Sequence, residues 1–157
     1  LGCKYVILGH SENRSIGESN SLINKKIKVC LNNNLKILFC VGENLKEKKL
    51  KKTKKILNNQ LNRGLKDLKN IKNIIIAYEP VWSIGTGLIP KSEDLVKSVN
   101  FIKSKLGKKS LKILYGGSVN PGNISILKNI SSIDGFLIGG ASQDSKKFID
   151  IIKKTFN

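Results

Sequence analysis

Glu79 is the residue in this sequence best placed for acid–base chemistry. It follows the apolar run Ile74 to Tyr78 and precedes Pro80, which fixes the direction of the departing chain. A carboxylate at the end of a buried strand loses water, which brings its pKa nearer working pH and suits it to removing a proton. A glutamate at an ordinary surface strand end would look the same taken alone. His10 is the single histidine of the chain. It follows the run Tyr5 to Leu8 and precedes polar residues able to open a helical turn. A helix N-terminus disfavours imidazolium and leaves a neutral ring that can polarise a carbonyl. The competing reading is a structural histidine held by hydrogen bonds. Two glycine-rich turns, YGGSVNPGN from Tyr115 and IGGAS from Ile138, could hold a phosphoryl group on backbone amides, although a Gly-Gly pair alone is weak evidence.

The elements that must position these residues can be read from hydrophobic pattern. Short apolar runs without alternation occur at Tyr5–Leu8, Ile37–Val41, Ile74–Tyr78, Ile113–Tyr115 and Phe136–Ile138, as suits parallel strands buried on both faces. Helical spacing separates them, clearest in Leu95, Val99, Ile102 and Leu106, and again in Phe148, Ile151 and Ile152. Strand and helix alternate five times, which predicts βαβ crossovers in an open doubly wound sheet or a closed (β/α)8 barrel. His10, Glu43, Glu79, Gly116 with Gly117, and Gly139 with Gly140 all follow the ends of their strands. An open sheet gathers ligands at one switch point, whereas a barrel draws its site from many strand ends around a ring. The expected fold class is therefore α/β, a partial (β/α)8 barrel with five of eight βα units present. No linker, low-complexity domain or second domain is visible.

Composition narrows the partners. The chain has 157 residues and a formal net charge of +18, carried by 27 Lys and only two Arg, with 17 Asn alongside. Nucleic-acid binding is the first idea such charge raises, but base readers favour the bidentate fork of Arg, and the densest run, KEKKLKKTKK at 46–55, reads as the solvated face of a helix. We expect neither a nucleic-acid nor a membrane partner. Cys3, Cys30 and Cys40 show no C-x-x-C spacing and have one histidine between them, so neither a zinc site nor a disulfide framework is indicated. No apolar stretch reaches membrane-span length and no signal-peptide pattern opens the chain, which makes the cytoplasm the expected location. Leu1 begins in mid-pattern and methionine is absent, so the sequence reads as a fragment.

Five ordered blocks, GHSENRSIGES, CVGE, AYEPVWSIGTG, LYGGSVNPGN and DGFLIGGAS, resemble the triosephosphate isomerase family across essentially the whole chain. AYEPVW followed by IGTG is the most specific of them. The blocks correspond to units four to eight of the family barrel, so the resemblance implies that residues 1–157 are the C-terminal portion of a single (β/α)8 domain whose first three units are absent. It implies interconversion of dihydroxyacetone phosphate and glyceraldehyde 3-phosphate through an enediolate, in glycolysis and gluconeogenesis, with no cofactor and no metal. Glu79 becomes the catalytic base and His10 a neutral electrophile, an arrangement for which this family is itself the standard example. Ser11 and Glu12 would support the site. Phosphate would be held by Ser118, Gly139, Gly140 and the amide of Gly85, with Gly116 and Gly117 forming the supporting turn.

The stretch Val81–Lys91 resembles the family's mobile lid, hinged at Pro80, Val81 and Trp82, whose closure would exclude water and protect a labile enediolate phosphate. For Trp82 ordinary packing is the alternative. Cys40 and Glu43 match structural positions of the family. A homodimer is expected of the full-length protein. The family's early units also carry an asparagine and a lysine at the active site, and neither lies in this chain; losing one preorganised electrostatic donor typically costs about a hundredfold to a thousandfold in turnover. Smaller departures are Asn13, where an arginine commonly follows HSE, a stretch from His10 to Glu18 that is one residue short, and Leu88, Ile89 and Pro90 in the lid. Two other readings stand beside the isomerase. One is an inert barrel fragment needing its N-terminal complement, and the last is a basic nucleic-acid binder.

Overall fold

The structure, a computed structural model, describes residues 2–107 and 111–156. Strands β1 (Tyr5–Leu8), β2 (Lys36–Val41), β3 (Ile74–Tyr78), β4 (Ile113–Tyr115) and β5 (Gly135–Phe136) form one parallel sheet in the order β1-β2-β3-β4-β5. A doubly wound sheet reverses its strand order at a switch point; this sheet never does. The chain is thus an α/β arc whose strands pair with their sequence neighbours, as in part of a (β/α)8 barrel.

Registered rows explain which face holds the core. Leu8, Phe39, Ile76 and Ile113 are aligned across four strands and are all buried. Helices α2 (Asn20–Asn32), α4 (Thr53–Gly64) and α5 (Ser92–Leu106) cover that face with Ile23 and Ile27, Leu57 and Leu61, and Leu95, Val99, Ile102 and Leu106. The opposite face is less covered. There Tyr5 and Ile7 of β1 are each 45% exposed, and Leu38, Ile75 and Leu114 are half-buried.

Two expectations need correction. The lysine run 46–55 does not form one helical face. Asn44 and Glu47 build a capping box that starts α3 (Leu45–Lys49), which ends before Lys51 adopts a left-handed φ of 54°, and only then does α4 begin. Lysines three and four apart repel along a single helix, which favours the break. The last strand is Gly135–Phe136 and not Phe136–Ile138. Its partner β4 stops at Tyr115, so Leu137 makes a final 2.9 Å bond to the Tyr115 carbonyl before the ladder runs out. The helical spacing of Phe148, Ile151 and Ile152 is met by α7 (Ser145–Phe156), in which Ile151 is buried and the other two stand at 36% and 42% exposure. Helix α7 packs beside α6 (Ile124–Leu127).

Asn24 ties the helix layer together at a place where carbonyls would otherwise be orphaned. From α2, its side-chain amide donates to the Gly64 carbonyl at 2.8 Å and the Lys66 carbonyl at 2.9 Å, closing the end of α4. Asn24→Ala leaves both without that donor in a buried spot. We expect a loss of about 1–3 kcal/mol in denaturant unfolding; an unchanged midpoint would show that water replaces the amide without cost.

Candidate active site

Glu79 leaves β3 at the centre of the rim formed by the strand ends. Its backbone N–H donates to the Val41 carbonyl of β2 at 2.8 Å, and the next turn is pinned by Gly116 donating to the Tyr78 carbonyl at 2.9 Å. Glu79 is flanked by two glycines, one against its main chain and one against its side chain. A Cβ on Gly42 would collide with the Glu79 carbonyl group, and a Cβ on Gly116 would come within 2.8 Å of Glu79 Cγ. Gly42 is itself clamped by Gln60 of α4, which accepts from its N–H at 2.8 Å and donates to its carbonyl at 3.0 Å.

His10 caps the short helix α1 (Ser11–Ser15), and its Nδ1 accepts the Glu12 N–H at 3.4 Å. A neutral ring accepting at Nδ1 carries its proton on Nε2. That nitrogen lies 3.5 Å from Glu79 Oε1. The expected base and electrophile are therefore adjacent, the first 3% exposed and the second half-buried. Ser11 and Glu12 contribute chiefly through backbone. The Ser11 amide faces the Glu79 carboxylate, while the Glu12 side chain is 89% exposed with its Oε2 3.8 Å from His10 Nδ1.

One cavity of about 580 Å³ is lined by His10, Glu79, Gly85, Gly116, Gly117 and Ser118. Gly139 and Gly140 form part of the same wall. Gly85 stands in the segment after Glu79 at a φ of 70°, where a side chain would be strained. The first amides of α7 are already taken, since Asp144 Oδ1 accepts from Lys146 and Lys147. From that side the cavity is lined by the turn Gly139, Gly140 and Ala141 together with Lys147.

Sequence reading missed four residues that hold this arrangement. Arg14, one of two arginines, donates from Nε to the Gly9 carbonyl at 2.7 Å and from Nη2 to the Cys40 carbonyl at 3.0 Å, joining the ends of β1 and β2. Its rarity among lysines was the available signal. Gln60 had none, because its partner Gly42 is 18 residues away. Ser83 and Tyr115 meet hydroxyl to hydroxyl at 2.9 Å. Cys40 and Glu43, expected to be structural, are both buried. Glu43 accepts from Trp82 Nε1 at 3.1 Å and from the Tyr78 hydroxyl at 3.2 Å, while Lys48 Nζ stacks 3.6 Å above the Trp82 ring.

Burial raises the Glu79 carboxyl above its ordinary range, opposed by His10, the Cys40 thiol, the Ser11 amide and Arg14. The native state therefore holds this proton more tightly than the unfolded chain, where the group keeps its ordinary value of 4.5. Ionised Glu79 weighs against folding above its native pKa, and that burden vanishes below the unfolded value. Glu79→Gln should accordingly raise the unfolding midpoint near neutral pH, with the gain shrinking toward zero near about pH 4. A gain independent of pH, or none at neutrality, would contradict the assignment of burial as the dominant influence.

The model of the triosephosphate isomerase family matches residues 1–155. The triosephosphate isomerase of Saccharomyces cerevisiae is 46% identical over 160 residues, covering 97% of this chain and 64% of that protein. That of Mycoplasmoides gallisepticum is 45% identical over 163 residues, with 98% and 65% covered, and that of Thermodesulfovibrio yellowstonii 43% over 159, with 97% and 65% covered. The chain thus spans about 65% of the length of the curated relatives it matches. With a single match running through β1 to α7 and identities above two in five, the chain belongs to the triosephosphate isomerase family.

Proposed function

We propose that this chain is the C-terminal part, units four to eight, of a triosephosphate isomerase that interconverts dihydroxyacetone phosphate and glyceraldehyde 3-phosphate. The observation that carries the reading is the 3.5 Å approach of His10 Nε2 to a buried Glu79 carboxylate in a cavity walled by glycine turns. Glu79 removes a proton from the carbon beside the substrate carbonyl. The Nε2–H of neutral His10 stabilises the oxyanion that develops, giving an enediolate. The proton then returns to the neighbouring carbon, with no net change in oxidation of the substrate and no cofactor required. Ser118, Gly139, Gly140 and the Gly85 amide bind the phosphoryl group, and Val81–Lys91 closes over it.

Two features support a missing N-terminal complement. β1 and β5 each have one unpaired edge among the described residues, and the apolar face carrying Tyr5 and Ile7 is only partly covered. Three preceding βα units would close both and bring the family's asparagine and lysine to the cavity. A homodimer and a cytoplasmic location belong to the same reading. Among the described residues no helix is long and apolar enough to cross a membrane.

With the upstream units restored, Glu79→Gln should lower kcat by about a hundredfold to ten-thousandfold while the affinity for a substrate analogue holds. Undiminished turnover sinks the assignment of the base. Residues 1–157 assayed alone should show little isomerisation, because the cationic partner is lacking; robust turnover would refute its importance. Salt-sensitive binding of the intact protein to DNA or RNA would favour the nucleic-acid reading instead.

A further inference from the structure

The hydroxyl of Ser83 is fully buried and has three partners drawn from different parts of the chain. It lies 2.6 Å from the Leu88 carbonyl oxygen, 2.9 Å from the Tyr115 hydroxyl and 3.3 Å from the Ser118 amide nitrogen. A serine hydroxyl offers one proton and two lone pairs. A carbonyl can only accept, so the Ser83 proton goes to Leu88. Tyr115 and Ser118 must then both donate to Ser83 Oγ, which fills its capacity. Burial holds the Tyr115 phenol above its ordinary range, so it keeps the proton it gives. The space is also reserved by backbone, because a Cβ on Gly117 would strike the Tyr115 hydroxyl and come within 2.7 Å of Ser83 Oγ.

The partners explain what the hub controls. Ser83 belongs to the 3-10 turn Val81–Ser83 that leaves Glu79, and Leu88 lies on the returning leg of the same segment. Thr86 braces the loop between them, donating to the Ser83 carbonyl at 3.1 Å and accepting from the Leu88 N–H at 3.2 Å. Tyr115 ends β4, and Ser118 is in the turn that follows it. Of the three contacts, the one to the Ser118 amide is the longest and hence the weakest. It is also the one whose donor faces a competing acceptor when a phosphoryl group enters the cavity.

We propose that Ser83 is a positioning residue that ties both legs of the Val81–Lys91 segment to the end of β4, and that substrate phosphoryl oxygen takes the Ser118 amide from it on binding. This rests on the reading of Ser118 as a phosphate ligand. The unliganded segment is held by three tethers and the liganded one by two, so occupancy of the phosphate site is passed directly to the hinge beside the base.

The test uses the full-length protein with inorganic phosphate as the probe. Ser83→Ala frees the Ser118 amide from a competitor, so phosphate should bind about twofold to tenfold more tightly. It also strands Leu88 and Tyr115, so kcat per folded molecule should fall about tenfold or more. Tyr115→Phe removes a tether but leaves the Ser83–Ser118 contact, so kcat should fall with phosphate affinity unchanged. Trp82 is the single tryptophan, and its fluorescence anisotropy should drop in Tyr115→Phe, a readout that stands even if Ser83→Ala does not fold. Weaker or unaltered phosphate binding in Ser83→Ala, or unaltered Trp82 anisotropy in Tyr115→Phe, overturns the proposal. If the unmodified protein binds no phosphate, the Ser118 reading fails and the hand-over fails with it. If it binds phosphate and Ser83→Ala does not tighten it, only the hand-over fails.

Discussion

Holding a carboxylate away from water is the constraint around which this structure is built. Desolvation of Glu79 is unfavourable to its charged form, and the groups that oppose it come from the two preceding strands: His10, Ser11 and Arg14 after β1, and Cys40 in β2. None of these can be displaced without shifting the next. Gly42 and Gly116 lie so close to Glu79 that any side chain there would drive it out of place. Arg14 and Gln60 add nothing to the cavity wall, yet they fix the backbone of the loops that form it. The site is thus a property of strand register, because only strands ending in step can bring these groups to one carboxylate.

Much of this was legible because buried parallel strands leave an unambiguous pattern. Ile74–Tyr78 and Ile113–Tyr115 read as strands from their apolar runs, and Leu95, Val99, Ile102 and Leu106 read as one helix face, since a covered element must be apolar at the covered positions. The unusual residues following the strands were visible for the same reason: polar groups and glycines interrupt an otherwise apolar plan. What was not legible depended on pairing. β5 stops early because β4 does, and the lysine run breaks because of a capping box whose strength is not a matter of hydrophobicity. Gln60 and Ser83 carry no local mark, since each acts on backbone far along the chain or across the rim.

The segment after Glu79 shows how polar bonding can organise a loop with little apolar burial. Trp82 is fixed by Glu43 and by Lys48 above its ring, while Ser83 is fixed by Tyr115. Adjacent residues are thus anchored to different elements, Trp82 to the loop after β2 and Ser83 to the end of β4. Glu43 tolerates burial because Trp82 and Tyr78 donate to it, though desolvation still raises its carboxyl. Beyond these anchors Gly85 and Gly87 are exposed at positive φ, so the tip can move while its base stays in place.

The uninterrupted strand order bears on how such a site comes to exist. Each strand pairs with its predecessor, so no pairing spans more than one strand-helix repeat, and the sheet can lengthen as chain is added. The backbone around Glu79 is set once β2, β3 and β4 are in register, through Val41, Gly42 and Gly116, whereas His10 is carried in by β1, so the carboxylate's cradle and the imidazole beside it arise from separate strand pairings.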